Sequence, residues 1–172
     1  SGKHREKVRV GQEGDTLVLE SIGRVQDREI TVSYPKKTEF EEASVDVVAG
    51  TVNLDDNFYA KKLEVSVAAG EFTNDSTITA EKAELTVGTG NIDLENLKVQ
   101  NLEADCGIGN IDLGIDGKEK DYDYEISCAA GAIDIGDSSF SGLGHEKKIS
   151  NPGSSGKMTF DCGVGNITVD FE

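Results

Sequence analysis

Apolar residues recur at every second position over short stretches of this chain, and glycine bounds each stretch. In "SVDVVAGTVNL", residues 44–54, Val45, Val47, Val52 and Leu54 take one side while Asp46 and Asn53 take the other. Successive side chains of a strand point to opposite faces, so such segments are predicted strands with one face buried. The pattern then returns: "GTGNIDL" at 88–94 is nearly rewritten as "GIGNIDL" at 107–113.

Aligning the strands on the glycine before each one gives Gly50, Gly70, Gly90, Gly109, Gly131 and Gly165, at spacings of 20, 20, 19, 22 and 34. Two positions after the glycine stand Val52, Phe72, Ile92, Ile111, Ile133 and Ile167, and three before it Val47, Val67, Val87, Cys106, Cys128 and Cys162. A third short strand is predicted between the glycines, with Phe58, Ile78 and Leu97 in one column and Ala60, Ala80 and Val99 in another. A unit of about 20 residues that repeats its inward positions signals a solenoid.

The expected fold is therefore all-β: a single-domain right-handed parallel β-helix, a β-solenoid of seven or eight coils, since parallel crossovers favour that hand. One coil buries too few side chains to offset the ordering of its backbone, so stacking must supply the stability. Each "GxGN" is read as a corner where glycine allows a sharp bend and asparagine a left-handed φ. Successive coils are expected to stack in chain order, which puts Val87, Cys106 and Cys128 directly above one another.

Residues 1–42, with "KVRV", "TLVLE" and "REITVSYP", are read as the N-terminal cap and first irregular coils, and residues 43–172 as the regular β-helix. The long spacing before Gly165 holds a loop insertion at 136–157, rich in glycine and serine. Such excursions often carry binding.

Composition changes this picture in one respect. With 33 acidic against 17 basic residues the formal charge is −16, which opposes nucleic acid and anionic membrane surfaces as partners. All four arginines fall within the first 28 residues. No stretch approaches the roughly 20 apolar residues of a membrane helix, so this segment is not expected to insert into a membrane.

Candidate chemistry is sparse. Cys106, Cys128 and Cys162 share a column that valine fills elsewhere, which marks them as small buried hydrophobes more than as a disulfide or metal set. The outward acids Asp93, Asp112 and Asp134 form a ladder that a calcium ion could relieve of like-charge repulsion, although a solvated acidic face is the plainer reading. His145 stands in the insertion with Glu146, Lys147 and Lys148, and His4 lies at the terminus. Lys61, Lys62, Lys82 and Lys98 read as strand-edge or corner residues, while Tyr59, Tyr122 and Phe140 are the candidate aromatics for stacking on sugars. No catalytic residue and no cofactor is expected.

The stretches "REITVSYPKKTEFEEASVDVVAGTVNL", "LTVGTGNIDLENL", "DYDYEISCAAGAIDIG", "SFSGLGHEKKISN" and "FDCGVGNITVDF" together resemble the adhesin-like family of bacterial β-strand-repeat proteins, the domain of unknown function 4097, over about residues 29 to 172. The resemblance implies a parallel β-helix on the outer side of the cell, tethered by an N-terminal membrane segment that these residues do not include. It implies no enzyme chemistry. The expected function is a non-catalytic cell-surface structural or interaction module whose partner is a protein or glycan. A calcium- or carbohydrate-binding module, a polysaccharide-acting enzyme, a scaffold self-associating end to end, and a cytoplasmic location are the alternatives.

Overall fold

The computed structural model describes residues 7–13, 16–22, 31–141 and 143–172. Apart from one three-residue 3-10 turn at Glu119–Asp121, every regular element among them is a strand. The chain divides into two compact units, residues 1–35 and 36–172.

In the first unit, β1 (Lys7–Glu13) and β2 (Thr16–Ile22) pair antiparallel, with Lys7 opposite Ile22 and Glu13 opposite Thr16. "KVRV" and "TLVLE", read as part of the N-terminal cap and first irregular coils, pair with each other as a hairpin. Only Gly14 and Asp15 separate the two strands, and a parallel crossover needs about a dozen residues. Of "REITVSYP", residues 31–35 carry no strand and the rest lies outside the described residues.

The second unit is an open, mostly parallel sheet of twelve strands. It begins with β3 (Glu39–Val47) and β4 (Gly50–Leu54), followed by β5 (Phe58–Val67), β6 (Gly70–Val87), β7 (Asn91–Cys106) and β8 (Asn110–Ile115). Register confirms the repeat: Val45 pairs with Val65, Val65 with Leu85, and Leu85 with Ala104. The chain therefore stacks on itself in β-solenoid fashion, one level about every 20 residues. The longest strands bend where alternation breaks, as at Lys61–Lys62, between buried Ala60 and buried Leu63.

Beyond β8 the order of levels departs from the order of the chain. The strands that follow are β9 (Tyr122–Cys128), β10 (Ala132–Ile135), β11 (Ser138–Ser141), β12 (His145–Ile149), β13 (Gly156–Cys162) and β14 (Asn166–Phe171). β13 pairs with β7 on one side and β9 on the other, and β14 lies between β8 and β10. The last level of the sequence is thus fifth of the six in space. Cys106 pairs with Cys162, and Cys162 with Cys128. Val87 and Cys106 are neighbours as expected, but Cys128 stands one level further away.

The insertion makes this arrangement workable. β11 pairs antiparallel with β10, and β12 antiparallel with β9, on the edges facing away from the inserted level. β11 and β12 thus cover the edge of the sixth level, a known hazard for strand-edge association. Residues 150–155 then carry the chain from β12 across the end of β9 to β13. Six levels stack among the described residues, not seven or eight, because the N-terminal strands had been counted as coils.

The core is a set of aliphatic columns. Phe72, Ile92, Ile111, Ile167 and Ile133 are fully buried in adjacent levels. β-branched and aromatic residues suit this pleated environment. The glycine column serves a purpose other than the bend first assigned to it. A Cβ on Gly165 would lie 2.6 Å from Cys106 Sγ and 2.8 Å from Gly109 N, so glycine is required because the next level leaves no room. Nor does asparagine adopt a left-handed φ there: Lys37 is the non-glycine residue with positive φ among the described residues. Instead Asn110 donates to Asn91 Oδ1 and Asn166 to Asn110 Oδ1, each at 3.2 Å, an amide ladder up the stack.

Candidate functional surface

The outward faces carry the polar chemistry. On the strand that follows the bend, Glu64, Glu84 and Glu103 form a column in register, with Lys62 and Lys82 in the column beside it. Lys62 pairs with Glu64 and reaches Glu42 at 3.7 Å and Glu84 at 3.8 Å; Lys82 pairs with Glu84 and reaches Glu103 at 3.9 Å. The hydrogen bond from Lys82 holds the Glu84 carboxyl below its usual range, and the bond to Glu64 raises the Lys62 ammonium. These lysines stand at the bend, in register with each other, and offset an acid ladder that would otherwise repel itself. Lys61 pairs with Glu41 at 2.8 Å, and Lys98 reaches Asp116 at 3.6 Å.

A shallow depression of about 200 Å³ on this face is lined by Ser44, Asp46, Glu64, Val65, Ser66, Glu84 and Thr86. It is smaller than the roughly 300–1,000 Å³ of most small-molecule sites and holds no aromatic residue.

The calcium candidates are only partly brought together. Asp93 and Asp112 are cross-strand neighbours, but the inserted level puts Thr168 between Asp112 and Asp134. Among the described residues no group of three His, Cys, Asp or Glu side chains is arranged to hold a metal ion. Asp105 and Asp161 are a further pair of cross-strand acids, which the chain order conceals. Crowding by surrounding protein, then Glu103 and Asp161, raises the Asp105 carboxyl.

The insertion is anchored by two acids that the sequence reading passed over. Asp123 Oδ1 accepts from Asn151 N–H at 2.7 Å, Ser154 Oγ at 2.8 Å and Ser150 Oγ at 3.4 Å. Asn151 also donates its side-chain amide to Tyr122 O. A turn at Asn151–Ser154 is closed by a backbone bond, with Gly153 at φ 87°. Glu125 bridges Lys148 and Lys157, each at 2.9 Å, and these bonds hold its carboxyl at about 2. Their sequence signal was faint: an alternating "DYDYE" facing a lysine-bearing loop.

Two of the three aromatic candidates are unavailable to sugars. Tyr122 and Phe140 are each only 6% exposed. Tyr122 donates its hydroxyl to Val99 O at 2.8 Å. Phe140 packs against His145, with Lys147 Nζ 4.9 Å from its ring centre. Tyr59 is half-buried. The three cysteines are buried and unbridged, and burial pushes the Cys162 thiol up to about 11. A thiol so placed is a poor nucleophile at neutral pH.

The Toastrack DUF4097 family model matches residues 2–144. The chain belongs to the Toastrack family. The match ends just before β12, so the inserted level formed by β13 and β14 lies beyond it. No curated protein and no solved structure matches the chain significantly. No helix among the described residues is long and apolar enough to cross a membrane.

Proposed function

We propose that this Toastrack domain is a non-catalytic, adhesin-like interaction module displayed on the outer face of the cell, built as a right-handed parallel β-helix and tethered through a preceding membrane segment. One observation carries the reading. On the regular face Lys61, Lys62 and Lys82 reach carboxylates one level away, Glu41, Glu84 and Glu103, and the most acid-shifted carboxylate, Glu125, anchors the insertion that covers the sixth level. Charge here is used to hold a stack rigid and to present it, which suits a scaffold for binding.

The test has two readouts. The full-length protein on intact cells is expected to be cut by added protease, and the purified domain is expected to release no product from a panel of cell-surface glycans, with or without calcium. Protection on intact cells would refute the location, and turnover on any glycan would refute the non-catalytic assignment.

A further inference from the structure

One corner of the stack is uncharged over its whole length. Two residues per level face outward between the column of Val47 and the glycine column, and the second of them runs Ala49, Ala69, Thr89, Ile108, Val164, Ala130. Backbone bonds continue around this corner from level to level, for example Ile108 N to Gly88 O and Val164 N to Gly107 O, each at 2.8 Å. The hydroxyl of Thr89 is consumed on Ala68 O at 2.9 Å. What the corner offers to solvent is therefore apolar. Val48 is 74% exposed, Ile108 61% and Val164 63%.

The borders of this strip are acidic. Asp46, Asp105 and Asp161 stand in the column before it, and Glu71, then Asp93 and Asp112, in the columns after it. None of these six acids has an ion-pair partner among the described residues, whereas Glu41, Glu64, Glu84 and Glu125 are all paired with lysine. Six acids without an ion-pair partner among the described residues thus flank a strip that carries no charge of its own. Scattered apolar side chains on a surface are ordinary, but a continuous row bordered by polar groups marks an interaction site.

We infer that this corner docks a cationic amphipathic helix, whose apolar stripe lies on the Ala49–Ala130 row while its lysines and arginines reach sideways to the two acidic borders. This names the partner class of the interaction module proposed above and rests on that reading. Five ladder steps of about 4.8 Å give a strip about 24 Å long, which matches a helix of about 16 residues. The small residues keep the strip low, and long basic side chains can lay their stems along it and direct their charges outward. An acidic partner or a second copy of this chain would bring like charges together along both borders.

The experiment titrates the intact protein at physiological salt with two helical peptides of about 16 residues. One carries lysines around a leucine stripe, and the other has the same lysines with the leucines replaced by serine. The leucine peptide is expected to bind at least about tenfold tighter. The double variant Ile108→Asn, Val164→Asn keeps the net charge, changes only exposed side chains, and should remove that advantage while its melting temperature stays within a few degrees of wild type. Asp105→Asn with Asp161→Asn should weaken binding and flatten its salt dependence. Equal binding of the two peptides, or unchanged preference in the double variant, overturns the proposal by leaving only general attraction to an acidic protein. A wild-type dimer that the double variant converts to monomer also overturns it, in favour of self-association. Glycan turnover would instead strike the module reading and leave this result standing.

Discussion

Gly109→Ala separates the two explanations for the glycine column. Gly109 lies outside the left-handed region, so alanine can adopt its backbone conformation. The added Cβ, however, would overlap the carbonyl oxygen of Gly90 and stand 2.8 Å from Val87 Cγ1 and 3.1 Å from Gly90 C. Two of these atoms are backbone, and they can yield only if the levels separate, against hydrogen bonds that set their spacing near 4.8 Å. Overpacking costs about 1–3 kcal/mol where side chains can adjust, so a backbone obstacle should cost about 3 kcal/mol or more. For a domain of this size that is a loss of roughly 6–12 °C in melting temperature. Gly50→Ala is the informative comparison. Gly50 has φ +121° and nothing within 4 Å of its Cβ position, so its cost is conformational only, about 1–2 kcal/mol. Thermal and urea denaturation of both variants decide the matter. If Gly50→Ala proves the more damaging, or Gly109→Ala melts with wild type, the column exists for chain bending and the stacking account fails.

Stacking order can be read from thiols: Cys128→Val, which leaves Cys106 beside Cys162, should form an intramolecular disulfide under mild oxidation, while Cys162→Val should leave Cys106 and Cys128 free, two ladder steps of about 4.8 Å apart and beyond bridging range. Mass spectrometry after thiol alkylation distinguishes them, and the reverse result would restore chain order. Acid should loosen the insertion first. Glu125 is held at about 2 and Asp123 below its ordinary value, so the stability they contribute is complete above the unfolded carboxylate range and is lost as pH falls from about 4.5 towards 2. Hydrogen exchange in residues 145–155 should rise over that window, and Glu125→Gln should remove much of the dependence. Asp105 has the opposite sign: its raised carboxyl disfavours the charged form in the folded state, so Asp105→Asn should raise the melting temperature at pH 7, with the gain fading by about pH 3. Asn74, 1% exposed with its Oδ1 unpartnered among the described residues, donates to Ser76 O at 2.6 Å. Asn74→Leu, which matches Leu54 and Leu94 in its column, should change stability by no more than about 1 kcal/mol, the lost bond being offset by the orphaned oxygen removed.

Much of the fold is legible in the sequence, because a half-buried strand writes its inward positions at every second residue. The columns of Val47, Val67 and Val87, and of Phe72, Ile92 and Ile111, reappear as direct partners. The N-terminal hairpin was missed because β1 and β2 share the strand alphabet of the coils; the two-residue connection was the discriminating signal. Tyr122 and Phe140 were misjudged for a related reason, since a loop-flanking aromatic can turn inward without altering the pattern. The candidate surface was the least legible part. Asp123 and Asp105 acquire their partners, Asn151 and Asp161, from segments 28 and 56 residues away.

Sequence alone determined that the chain winds into levels of about 20 residues, which residues face inward, and that glycine must occupy each corner. Those properties are local or repeat at constant spacing. Only the tertiary structure decided in what order the levels stack. Cys106, Cys128 and Cys162 occupy equivalent places, as do Ile111, Ile133 and Ile167, so the apolar columns accept either order with equal burial. The choice falls to groups that differ between levels: Asn166 extends the amide ladder from Asn110 where Ala132 could not, and Lys148 reaches Glu125 because β12, not β13, takes the outer edge of β9. A repeat written to be uniform carries little information about its own sequence of floors, and side-chain pairs formed at long range supply the rest.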